Sequence, residues 1–151
     1  MLRFRIALKA MTTTLLLCFL IGAIPAVFEA IKHGGQSVPG FDTYGGLAAT
    51  ARQLQNSLLG GLMLGSGSLL GAYVQNPAAK PRIFWYVLAS LSSIFLAIIF
   101  AFGVEFALSG LDVLVTGAGQ YVLAIVQLVI SAAIGTWLVL WGYSRRVSAY
   151  A

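Results

Sequence analysis

Few side chains in this sequence could take part in chemistry. His33 is the only histidine, and Glu29 precedes it by four residues, one helical turn back on the same face. With Asp42 they would make three ligands that would suit a metal. A histidine and a carboxylate just beyond an apolar run more simply make a solvated helix end, and that is the expectation. Cys18 is the only cysteine, which excludes an intrachain disulfide and a CxxC metal site. Inside an apolar run it acts as a small filler. A lipid anchor there would need a small residue before it, where Leu17 stands. No Ser/His/Asp arrangement, phosphate-cradling loop or dinucleotide fingerprint is present. One histidine also excludes haem held by a pair of them within one chain. The expectation is therefore no catalytic residue, no metal and no cofactor: not an enzyme.

Ionisable groups deep in a membrane span are the usual sign of a proton or ion path, because a central charge costs about 2.5–3.5 kcal/mol to insert. None falls mid-span here. Glu29 and Glu105 lie near span ends, where they reach the interface. Small multidrug transporters resemble this chain in length and helix number only, since their carboxylate within the first span has no counterpart. Gln127 and Ser131, one turn apart, with Thr136 below them, are expected to hydrogen-bond to another helix.

The elements that position these groups follow from composition. The chain has 151 residues, 60% hydrophobic and 9% charged, with a mean hydropathy of +0.93. Soluble domains are about 45–50% apolar and about 25% charged, so this surplus of apolar surface requires lipid as solvent. At about 20 residues per crossing, the length accommodates four spans with short loops. The expected fold is all-α: a single transmembrane domain over 1–151, a compact bundle with spans at about 11–31, 54–74, 83–104 and 121–141. The first segment begins with Arg3, Arg5 and Lys9 and contains Pro25, which also suits a secretory signal; cleavage after Ala26 would leave three spans. Gly34-Gly35, Pro39-Gly40 and Gly45-Gly46 mark an outer loop, and Pro77 and Pro81 mark a short turn. The stretch 105–116 is apolar but cut by Gly110 and Asp112, and predicts a short interfacial helix, with a re-entrant loop as the alternative.

The second span carries the sharpest pattern. At 100° per residue, Ser57, Gly61, Gly65, Ser68 and Ala72 fall within an arc of roughly 80°, flanked by Gly60, Gly67 and Gly71. Gly61-Leu62-Met63-Leu64-Gly65 and Gly67-Ser68-Leu69-Leu70-Gly71 are both GxxxG. Lipid is as apolar as leucine, so helices associate in membranes by close backbone approach, which small residues allow. Ala89, Ser93, Ala97 and Ala101 in the third span, every fourth residue, are the predicted mate. The face predicts helix packing, within the chain or against another subunit, and not chemistry.

Basic residues at the span edges set topology. Arg3, Arg5, Lys9, Lys80, Arg82, Arg145 and Arg146 fall on one side after four crossings, opposite Lys32, Arg52 and the acids Glu29, Asp42, Glu105 and Asp112. Both termini are thus predicted in the cytoplasm, with a bacterial inner membrane as the default setting. The net charge of +5 belongs to these edges, and no nucleic-acid footprint is present. The expected partners are the lipid bilayer and other membrane subunits, or copies of the same chain. The stretch 54–102 is similar to small inner-membrane subunits of secretion and conjugation machines in its glycine-rich span, short Pro-containing loop and second apolar span. The expected role is a non-enzymatic subunit of a larger membrane assembly. An oligomeric channel, transporter or holin-like pore is the alternative, and an accessory subunit of a membrane enzyme comes third.

Overall fold

The computed structural model describes residues 2–34, 36, 46–77, 79–109 and 118–149. Their regular structure is helical throughout: α1 (Leu2–Lys32), α2 (Leu47–Gln75), α3 (Ile83–Ser109) and α4 (Ala118–Ala149). Lipid offers no partner to backbone N–H and C=O groups, so an apolar chain crossing it must satisfy them internally as helix. The helices hold 27 to 32 residues, or about 40–48 Å at 1.5 Å per residue. The hydrocarbon layer is about 30 Å thick, so the helix ends extend into the headgroup zone. All four are long and apolar enough to cross a membrane, and the fold class is the all-α, four-span one expected. Glu105 to Ser109 continue α3 and do not start a separate helix. The rest of the stretch to residue 116, and Asp42 and Asp112, lie outside the described residues.

Local sequence explains the ends. α1 runs unbroken through Pro25, whose ring leaves the Ile21 carbonyl without its usual donor. It stops where Gly34 turns to φ +60° and its N–H donates to the Ile31 carbonyl at 3.1 Å. α2 stops where Asn76, at φ +45°, donates its N–H to the Ala72 carbonyl at 3.2 Å. Pro77 then prevents another turn. Left-handed backbone suits glycine and strains a β-carbon by about 1–2 kcal/mol. Gly34→Ala is expected to lower the unfolding temperature in mild detergent, whereas Asn76→Gly should leave it unchanged or raise it. Shifts in the same downward direction would contradict these cap conformations.

The chain divides into two compact units: Met1–Thr14 with Met63–Ala151, and Leu15–Leu62. In the first, all four helices meet. Ile6, Ala7 and Ala10 of α1 pack with Ala72 of α2, Tyr86 of α3 and Leu140 of α4. The start of α1 thus meets the end of α2, the start of α3 and the end of α4, so successive helices alternate in direction. Seven of the nine basic residues (Arg3, Arg5, Lys9, Lys80, Arg82, Arg145 and Arg146) belong to this end of the unit. The second unit pairs the later part of α1 with the earlier part of α2.

Large and small side chains sort inversely to a soluble protein. The buried apolar residues are mainly alanines, with buried Ser and Thr among them. Phe28, Phe95 and Phe102 are each more than 60% exposed. Bulky groups facing outward cost nothing where the solvent is hydrocarbon, and small ones facing inward let helices approach.

Candidate functional site

The polar centre of the four-helix unit is built from hydroxyls. Thr14 of α1 lies 2.9 Å from both Ser68 of α2 and Ser90 of α3. Ser68 reaches Ser93 of α3 at 3.4 Å, and Ser93 lies 2.9 Å from Thr136 of α4. All five side chains are at most 1% exposed. A hydroxyl has one proton and can accept twice. The chain can therefore run from Ser90 through Thr14 and Ser68 to Ser93, which donates to the Ala132 carbonyl at 3.0 Å or the Ala89 carbonyl at 2.8 Å. Thr136 donates into Ser93, and every proton has an acceptor. Ser90 also lies 2.8 Å from the Tyr86 carbonyl, a second outlet for its proton. The network thus joins four helices and satisfies itself, which a polar group in hydrocarbon must do.

Beside it runs a seam of glycines without room for a β-carbon. A Cβ on Gly67 would meet the Val129 carbonyl oxygen and lie 2.8 Å from the Ala132 Cβ; one on Gly71 would meet the Ala133 carbonyl. On α4, a Cβ at Gly135 would lie 2.8 Å from the Ser93 backbone. In the other unit, a Cβ at Gly61 would come within 3.1 Å of the Leu15 carbonyl, and one on Gly22 would meet the Ser57 hydroxyl. Backbones this close exchange dispersion and Cα–H···O contacts that bulkier residues prevent.

Each predicted packing residue can now be placed. Ser57 and Gly61 face α1. Gly65, Ser68 and Ala72 are buried, Ser68 in the hydroxyl network and Ala72 in the core cluster. Gly67 and Gly71 face α4. The predicted mate was α3, and this is corrected for Gly61, Gly67 and Gly71: the close partner of Gly61 is α1, and that of Gly67 and Gly71 is α4. Ser93 of the α3 strip does reach Ser68, and its backbone also lies against Gly135 of α4. Thr136 makes the interhelical bond expected of it. Ser131 is buried but donates to Leu128 within its own helix, and Gln127 is half-buried.

Sequence reasoning missed Thr14 and Ser90, and it expected Tyr86 in an interfacial aromatic belt with Trp85, Trp141 and Tyr143, where the structure buries it. For Thr14 a signal existed: Ala10, Thr14, Cys18, Gly22 and Ala26 recur every fourth residue along α1. Thr12 and Thr13 bond back to the Lys9 carbonyl, and only Thr14 turns inward. Tyr86 is 2% exposed, and its hydroxyl has no hydrogen-bond partner among the described residues. An unmatched buried donor costs about 1–3 kcal/mol. Tyr86→Phe is therefore expected to hold or raise the unfolding temperature, and a clear fall would mean that the hydroxyl has a partner.

Of the potential metal ligands, Glu29 and His33 do come together, with His33 Nε2 3.3 Å and Lys32 Nζ 3.9 Å from the same carboxylate oxygen. Among the described residues no group of three His, Cys, Asp or Glu side chains forms. Cys18 sits beside Gly60 and Gly61 as the small filler expected.

The basic end of the four-helix unit is dressed with aromatic rings. Trp85 lies 5.3 Å from the Tyr143 ring, and the Arg146 guanidinium 5.7 Å from the Trp85 ring. Tyr143 donates to the Lys80 carbonyl at 3.3 Å. Such rings, apolar in body and polar at the tip, sit at the boundary between lipid and water. No protein-family model, no curated protein and no solved structure matches this chain.

Proposed function

We propose that this chain is a small non-enzymatic subunit of a larger membrane assembly, a helical protein that other membrane proteins, or further copies of itself, pack against. The observation that carries this reading is where the polar groups go. Thr14, Ser68, Ser90, Ser93 and Thr136 direct their hydrogen bonds to one another and to backbone carbonyls in a buried core. A solute path would need such groups turned toward a passage; here they join helices. Because the small-residue face of α2 is occupied within the chain, contacts to partners fall on the outer surface. The exposed side chains of Gln53, Gln55 and Asn56 on α2 supply donors and acceptors that a neighbouring helix can match.

The clustering of seven basic residues at one end supports a membrane orientation with that end, and both termini, on the cytoplasmic side of a bacterial inner membrane. A secretion or conjugation machine is the kind of assembly proposed.

A photo-crosslinking residue placed at Gln53 or Asn56, in cells expressing the protein at native level, is expected to give discrete protein adducts. Crosslinks to lipid alone would remove the subunit reading. Solute or ion flux through liposomes holding the pure protein would replace it with the pore.

A further inference from the structure

On the outer face of the four-helix unit, α2 and α4 leave an open groove of about 360 Å³ lined by Leu70, Gly71, Val74, Ala133, Ile134 and Trp137. Its lining is wholly apolar, and its size falls in the range of about 300–1,000 Å³ typical of small-molecule sites. The groove exists because Gly71 lets α2 lie against the Ala133 carbonyl, while Val74 and Trp137 stand up on either side. Trp137, Trp141 and Arg145 are spaced four residues apart on one face of α4. The two indoles stack at 6.1 Å with 16° between planes, and the Arg145 guanidinium lies 3.8 Å from the centre of the Trp141 ring. The guanidinium end is about 12 Å along the helix from the groove, at 1.5 Å per residue.

Arg145 is exposed, and the ion pairs among the described residues are those of Glu29 with Lys32 and His33. A planar guanidinium held over an indole keeps its outer N–H groups aimed outward, in the fork that matches a phosphate. The order along α4 is thus an apolar groove at acyl-chain depth, an indole at the boundary and a cation at headgroup depth. We infer that this face is a binding site for one anionic glycerophospholipid, with an acyl chain in the groove and its phosphate on Arg145. A zwitterionic lipid would fill the same groove, but its own cationic group offsets the attraction at the phosphate.

The protein has three tryptophans, so Trp85→Phe leaves Trp137 and Trp141 as reporters beside the site. The experiment places this variant in phosphatidylcholine nanodiscs and adds phosphatidylglycerol or phosphatidylcholine with brominated acyl chains, which quench indole on contact. Brominated phosphatidylglycerol is expected to associate about fivefold more strongly, the worth of one basic residue at an anionic surface. Arg145→Gln should bring the ratio to one. Arg146→Gln, which removes the same charge one residue away, should leave it. Equal quenching by the two lipids overturns the inference without any further variant. So does an equal effect of the two arginine substitutions, which would reduce the preference to general surface charge.

Discussion

Gly67→Ala, Gly71→Ala and Gly135→Ala are each expected to destabilise the protein by about 1–3 kcal/mol, the usual cost of forcing extra carbon into a packed interior. The reason is what the new methyl would strike. At Gly67 and Gly71 it meets a backbone carbonyl of α4, and at Gly135 it lies 2.8 Å from the backbone of Ser93. A side chain can rotate away, but a helix backbone can yield only by moving the helix, and that separates the surfaces whose dispersion contacts hold it. Gly67→Leu should not assemble at all. Gly103 and Gly142 supply the contrast: both are helical, and a methyl at either meets nothing within 4 Å among the described residues. Alanine there should stabilise by roughly 0.5–1 kcal/mol, through reduced backbone freedom in the unfolded chain. Unfolding in mild detergent with added sodium dodecyl sulfate, followed by loss of helical signal, measures all five. A seam that does not exist would show the five variants shifting together.

Thr14→Val should have the next largest effect, a loss of about 1–2 kcal/mol. Interhelical hydrogen bonds in membranes average about 0.6 kcal/mol each and reach about 1.7, and Thr14 serves two of them, to Ser68 and Ser90. Valine keeps the shape, so packing is nearly unchanged and the hydroxyl alone is tested. Thr12→Val and Thr13→Val remove only bonds to the Lys9 carbonyl in the same helix, and should change stability by a few tenths of a kcal/mol. Ser93→Ala removes the acceptor that Ser68 and Thr136 share. Because Ser68 lies between Thr14 and Ser93, the double variant should lose less than the sum of the two. Strict additivity would mean that the hydroxyls act as separate pairs and not as one network.

Several features were legible before any coordinates. The spans were, because lipid leaves an apolar chain no alternative to helix, and because Pro77, Pro81 and the flanking charges punctuate it. Ser68 was legible as a packing residue because the wheel places it with Gly61, Gly65 and Ala72. Thr14 was harder to see. Three consecutive threonines look alike, and only the strip of small residues at Ala10, Thr14, Cys18, Gly22 and Ala26 marks the one that turns inward, through the register of α1 in which Ala7, Ala10 and Thr14 share a face. The end of α3 shows the converse: the apolar stretch 105–116, cut by Gly110 and Asp112, reads as a separate short helix, yet α3 continues to Ser109.

The pattern of residues by itself determined that this protein lives in lipid, that it crosses by helices and that one face of α2 is made for close contact. These are properties of single segments in a solvent, set by transfer energies and helical periodicity, and need no neighbour to express them. Only the tertiary structure decided which helix receives that face. A short turn between α2 and α3 makes them neighbours in sequence, but close approach requires small residues facing on both partners at the same depth. Gly67 and Gly71 find that in the α4 backbone, and Gly61 finds it in α1. The groove beside Gly71 follows from the same choice, because it does not exist until α2 and α4 touch, whereas the indole–guanidinium column is set by the four-residue spacing within α4 alone.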